Sequence, residues 1–163
     1  MRKGLLAAIA LITLVALLGC TEAGAAKGWT TDFRLAVKAA QKTGRYLLLD
    51  FSGSDWCGWC VRLDREVFSK KEFKDFSEKN LVCVTLDFPR RKPQARKLRA
   101  QNQMLKNKYG VRGFPTVIIL SPKGELAGRT GYRPGGPKPY VGHLKALIDA
   151  HKAKVSQDEK KTQ

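Results

Sequence analysis

The sequence predicts an α/β domain, a central mixed sheet of about four to five strands with helices on both faces. Short continuous apolar runs at 46–51 and 81–87 have the composition of strands buried on both sides. Amphipathic stretches of helical period lie between and around them, and Gly/Pro breaks divide the remainder into short elements. The resulting order, α-β-α-α-β-α-β-β-α, is that of a sheet covered by helices on two sides.

The elements follow in order. Thr30, Thr31 and Asp32 offer helix-start chemistry, Phe33, Val37 and Ala40 share one helical face, and Gly44 supplies the stop. Tyr46-Leu47-Leu48-Leu49-Asp50-Phe51 is the first strand, followed by a loop over 52–56 and a helix from Cys57 towards Phe68. Ser69 can cap a further helix, with Glu72 at capping-box spacing and Phe73 and Phe76 facing inwards. Residues 81–87 form the second strand, and a basic Gln/Lys/Leu-rich helix covers about 93–109. Strands at 115–120 and 125–131 flank the turn Ser121-Pro122-Lys123-Gly124 and should pair as a hairpin. Gly135-Gly136-Pro137 breaks the chain before a last helix, 140–151, with Leu144, Leu147 and Ile148 inwards.

The chain has 163 residues, 43% of them apolar, which suits one domain with a real core and excludes disorder for most of its length. Arg2 and Lys3 precede an apolar run from Gly4 to Leu18, too short for a spanning helix and right for an export signal. The run ends Leu17-Leu18-Gly19-Cys20, which resembles the bacterial lipoprotein box. That resemblance implies a signal over 1–19, acylation of Cys20 and attachment to a membrane through the lipid. The competing reading is an ordinary signal cut at Ala23-Gly24-Ala25; both export the domain to an oxidising compartment. Residues 20–28 read as a tether, 29–151 as the folded domain and 152–163 as a solvated polar tail.

Four cysteines are too few for a disulfide-stapled scaffold, but two of them are placed to do chemistry. Trp56-Cys57-Gly58-Trp59-Cys60 follows a buried strand and opens a helix. At a helix N-terminus the Cys57 sulfur faces unpaired N–H groups and the positive end of the dipole, which favours thiolate. Cys60 lies one turn along the same face, close enough to close a disulfide. Metal binding needs about four ligands, whereas Cys83 is the only other thiol in the domain, and His143 and His151 lie on the distant last helix. A static structural disulfide is the other alternative.

The stretch Leu49-Asp50-Phe51-Ser52-Gly53-Ser54-Asp55-Trp56-Cys57-Gly58-Trp59-Cys60 resembles the strand, buried acid and Trp-Cys-x-x-Cys site of the thioredoxins. Tyr109-Gly110-Val111-Arg112-Gly113-Phe114-Pro115-Thr116 resembles their second signature, and Gly131 stands where the family has a glycine after the last strand. The wording around Trp56 is nearer to exported bacterial thioredoxin-like proteins than to cytosolic thioredoxin. The resemblance implies a thioredoxin-like fold and a thiol–disulfide oxidoreductase with a redox-active Cys57–Cys60 disulfide and no other cofactor. Cys57 would attack, Cys60 resolve, and Asp50 exchange the Cys60 proton; Asp50 could instead cap the loop that follows its strand. Pro115 would be cis beside Cys57, with Gly113 and Phe114 presenting backbone to substrate and Trp56, Gly58 and Trp59 completing the surface. Implied partners are exported protein thiols and disulfides and an electron-donor or acceptor protein in the bacterial envelope or periplasm.

The sequence departs from the thioredoxin pattern in four places. The loop from Asp50 to Cys57 is one residue longer, and Gly58-Trp59 replaces Gly-Pro. Cys83 stands on the second strand, either a small buried hydrophobe or a third exchanging thiol. The segment between Asp87 and Pro115 is longer by about a dozen residues and is basic over 90–108. Charge follows that insertion: from Phe88 to Ile148 there are 14 basic residues against Glu125 alone. The basic segment is expected to steer acidic substrates or touch anionic envelope surface, or simply to be a solvated helix face. No phosphate-loop or nicotinamide fingerprint is present, export argues against specific nucleic-acid binding, and a monomer is expected. The alternative function is a binding module for an envelope partner, its thiols incidental.

Overall fold

The computed structural model describes residues 28–161. The expected signal 1–19, the expected acylation site Cys20 and all of the expected tether except Gly28 lie outside the described residues. Five strands form one mixed sheet in the order β1-β3-β2-β4-β5. They are β1 (Trp29–Thr30), β2 (Tyr46–Ser52), β3 (Leu81–Asp87), β4 (Thr116–Leu120) and β5 (Leu126–Thr130). β2 lies parallel to β3 and antiparallel to β4, and β1 runs parallel to β3 at the edge.

Strand alternation sorts the core into two layers. Tyr46, Leu48, Leu81, Cys83, Val117 and Ile119 face one side, while Leu47, Leu49, Phe51, Val82, Val84 and Ile118 face the other. The first side is covered by α2 (Gly58–Leu63), α3 (Lys71–Asn80) and α5 (Pro137–Lys161). The second is covered by α1 (Phe33–Thr43) and α4 (Arg96–Lys108). Asp50 has the parity of Tyr46 and Leu48, so β2 carries it onto the α2 side.

Several boundaries differ from expectation, each for a local reason. α1 starts as expected, its N-cap Asp32 accepting the Leu35 N–H at 3.0 Å. α2 passes into a π-helical turn, Asp64–Phe68, in which the Ser69 N–H reaches back to the Asp64 carbonyl at 2.8 Å. That extra residue per turn moves Ser69 into the end of the preceding helix, where its hydroxyl donates to the Arg65 carbonyl. Ser69 therefore caps nothing ahead of it, and Lys70 takes the N-cap position of α3 without a side-chain hydrogen bond.

α4 begins at Arg96 rather than 93, because Ala95 is extended and the Gln94 side chain instead donates to the Asp87 carbonyl at 2.9 Å. α5 starts at Pro137, where a missing N–H costs a helix nothing, and does not stop at His151. The Tyr46 hydroxyl and Glu125 both meet the His151 ring, and good helix formers carry the helix on to Lys161. The expected tail is thus an exposed helical extension up to that point. No described helix is long and apolar enough to cross a membrane.

Candidate functional site

The loop between β2 and α2 is held from both ends. Ser54 donates through its N–H and its hydroxyl to the Asp87 carboxylate, at 2.8 and 2.7 Å. The loop is therefore capped by Asp87 on β3, and Asp50 is left free of that duty. The Trp56 Nε1–H donates to the Phe88 carbonyl at 2.8 Å, and the indole packs over Gly53, where a Cβ would fall 2.5 Å from the ring. These contacts deliver Cys57 to the N-cap position of α2.

Cys57 and Cys60 form a disulfide, with Cα atoms 5.3 Å apart. The Cys57 Sγ accepts the Cys60 N–H at 3.2 Å, one of the donors that a helix start leaves unpaired. A thiolate at that sulfur would meet the same donor and the helix dipole, an arrangement that would favour Cys57 as the nucleophile of the pair. Phe114–Pro115 is a cis peptide, as expected. A Cβ on Gly131 would lie 2.9 Å from the Pro115 carbonyl oxygen, so the close approach of the chain just after β5 to this loop requires glycine. Phe114 meets Trp56 edge-on at 5.6 Å, which joins the proline loop to the cysteine loop. The Gly113 carbonyl accepts the Thr116 hydroxyl at 2.8 Å, and Gly58 is exposed in the first turn of α2.

Asp50 is buried, and its Oδ1 has no hydrogen-bond partner. Burial, with the like charges of Asp64 and Asp87 adding to it, pushes its carboxyl up to about 7. Asp50 and Cys60 line one cleft of about 370 Å³ with Trp29, Ser52, Asp64 and Phe68. A carboxyl that titrates near neutrality and opens on the Cys60 side of the disulfide can take up or return a proton there, directly or through water. Cys83 lies on the same side of the sheet, fully covered, and burial pushes its thiol up to about 12. It therefore fits the small buried hydrophobe and not the third exchanging thiol.

Trp59 is 55% exposed between the cysteines and rests against Tyr132 at 5.1 Å. The Arg62 guanidinium lies over both rings, and Glu66 accepts hydrogen bonds from Arg62 and the Tyr132 hydroxyl at 2.7 Å each. Nothing in the sequence marks Asp55, yet its carboxylate accepts the backbone N–H groups of Arg90, Arg91 and Lys92 at 3.0, 2.7 and 3.1 Å. Those bonds, that of Arg90 foremost, hold its carboxyl below the usual carboxylate range. A lone acid bonded to backbone 35 or more residues away leaves no local pattern to read. Among the described residues no group of three or more His, Cys, Asp or Glu could hold a metal ion.

The sequence and fold are similar to those of known proteins. The sequence pattern of the thioredoxin-like domain matches residues 33–137. The disulfide bond reductase DsbH of Chlamydia pneumoniae is 34% identical over 113 residues, 69% of this chain and 68% of that protein. The thioredoxin-related protein DsbJ of the same organism is 34% identical over 93 residues, 57% of this chain but only 27% of its own length. A solved DsbH oxidoreductase superposes with a TM-score of 0.70 at 33% identity, covering 72% of this chain and 82% of that one. A thioredoxin from Thermus thermophilus follows the same path with a TM-score of 0.53 at 25% identity, over 75% of this chain and 85% of its own. The chain belongs to the thioredoxin-like family and is a thiol–disulfide oxidoreductase with a C-x-x-C site at Cys57 and Cys60.

Proposed function

We propose that this protein is exported, held at the envelope membrane by lipid on Cys20, and reduces disulfides in exported proteins. The observation that carries the redox reading is the Cys57–Cys60 disulfide at the start of α2, with the Cys57 sulfur on a helix N–H. The reductive direction is favoured by the name of the Chlamydia relative, a disulfide bond reductase.

In the reduced protein the Cys57 thiolate attacks one sulfur of a substrate disulfide. A mixed disulfide forms and the first substrate thiolate leaves. Cys60 then loses its proton towards Asp50 and attacks the Cys57 sulfur. The second substrate thiolate leaves, the Cys57–Cys60 disulfide closes, and two electrons have passed to the substrate. The oxidised pair must then be reduced by a partner dithiol protein, and no further cofactor enters these steps. Gly113 and Phe114 present their backbone beside the pair, and Trp56 and Trp59 form its two walls.

Cys60→Ser should accumulate covalent adducts with exported proteins that vanish on adding dithiothreitol, whereas Cys57→Ser should accumulate none. Mass spectrometry of the trapped species checks this. Non-covalent partner capture that survives loss of both thiols, with no adduct from Cys60→Ser, would replace the enzyme reading with a binding module. A mature mass that does not change in Cys20→Ser would remove the lipid anchor from the proposal.

A further inference from the structure

The basic insertion is built into the rim of the redox site. Asp55, two residues before Cys57, binds three consecutive backbone N–H groups of Arg90, Arg91 and Lys92, so both of its oxygens are occupied by main chain. The side chains of these three cations are exposed, and none takes part in the ion pairs formed by Glu66, Asp75 and Glu125 elsewhere in the fold. The Arg90 guanidinium lies 3.8 Å from the centre of the Trp56 ring. Trp56 meets Phe114, Phe114 meets Phe88 at 5.2 Å, and the Lys106 ammonium sits about 6 Å from both phenyl rings, at 6.0 and 5.9 Å.

Three aromatic rings thus run between two cations. Trp56, at one end of the run, is bonded to Cys57 through the chain, and Phe114, its middle ring, precedes the cis Pro115. Trp56 and Phe114 join the cysteine loop to the proline loop, so a polypeptide lying along both loops would meet this strip. Stacking on rings holds the Arg90 charge in one place and leaves its N–H groups directed at whatever lies above.

We propose that the strip formed by Arg90, Trp56, Phe88, Phe114 and Lys106 is a substrate subsite that selects acidic side chains next to the target cysteine. The inference rests on the thiol–disulfide oxidoreductase reading and adds a substrate class to it. The same arrangement favours a polypeptide over a flat anionic membrane, because the two cations are set against aromatic rings that offer apolar contact to side chains between them. Asp55 is the positioning residue of the subsite: it fixes the backbone from which Arg90 reaches Trp56.

The test uses two cyclic peptides, each with one disulfide, identical except that the residues beside the cysteines are Glu in one and Lys in the other. Reduced protein is mixed with each in a stopped-flow instrument, and the second-order rate of its oxidation is read. The parent should react about tenfold faster with the Glu peptide at about 20 mM salt, as expected of two exposed charge pairs, and the advantage should fall below about twofold at about 0.5 M. The double charge reversal Arg90→Glu/Lys106→Glu should invert the preference, raising the rate with the Lys peptide while lowering that with the Glu peptide. Asp55→Asn should reduce the preference without inverting it.

Equal rates for the two peptides with the parent, or a Glu preference that survives the double reversal, would overturn the subsite. So would charge-blind peptide kinetics accompanied by sedimentation of the protein with phosphatidylglycerol vesicles, which would mark a membrane-facing surface. If the parent exchanges with neither peptide nor a small neutral disulfide, the oxidoreductase reading itself fails and the subsite falls with it.

Discussion

Asp50→Leu is expected to make the protein markedly more stable above neutral pH and, at the same time, a poorer catalyst. The carboxyl ordinarily titrates at 3.8 and is pushed up to about 7 in the fold, chiefly by burial. Between those values the native protein keeps a proton that the unfolded chain has released. Stability therefore falls as pH rises through that window. Below about 4 both states are protonated and the titration itself costs nothing; above about 7 that penalty is complete, on the order of 4 kcal/mol for a three-unit shift. Leucine removes the charge and fills apolar space beside Phe68 and Trp29, which line the same cleft. Urea unfolding of the oxidised protein should show a gain of that order at pH 8 and a much smaller one at pH 4. An equal gain at both pH values would show that packing, and not the buried charge, sets the effect.

The kinetic half of the expectation has its own readout. If Asp50 exchanges the Cys60 proton, its loss should slow the resolving step by about a hundredfold and remove the limb of the pH–rate profile near 7. A variant that is slower by the same factor at every pH would assign Asp50 a structural role only.

Cys57→Ser is expected to lower disulfide exchange by at least about a thousandfold, because no other described thiol can take its place. Cys60 lies within α2 and faces the cleft, and Cys83 is buried with its thiol pushed up to about 12. Among the described cysteines only Cys57 combines a sulfur at the helix start with a backbone N–H donor. In the reduced parent, iodoacetamide should therefore alkylate Cys57 first and should leave Cys83 unmodified until the protein unfolds. Alkylation of Cys60 ahead of Cys57 would reverse the assigned roles.

Much of this site was legible because its parts are local in sequence. The run Leu47-Leu48-Leu49, in a short apolar stretch, reads as a strand buried on both faces, and strand parity puts Asp50 on the side of the following helix. Cys57 and Cys60 announce their geometry by spacing alone once a helix start is recognised. The features that escaped are those decided by contacts across the chain. β1 is two residues long, below the length at which any period can be seen. The π-helical turn shifts Ser69 by one residue, a change that propensity cannot register. α5 continues past its last apolar contact because Tyr46 and Glu125 hold His151, residues far away in sequence. The Asp55 clasp likewise joins segments 35 residues apart.

The tryptophans carry a practical consequence. The chain has three, and all of them border the cysteine pair: Trp56 precedes Cys57, Trp59 separates the two cysteines, and Trp29 lines the cleft with Cys60. A disulfide quenches indole emission at short range, whereas thiols do so less. With no tryptophan elsewhere to supply a constant background, intrinsic fluorescence should brighten on reduction and dim on oxidation. The protein is thus its own optical electrode, able to report electron transfer to and from unlabelled partners in real time.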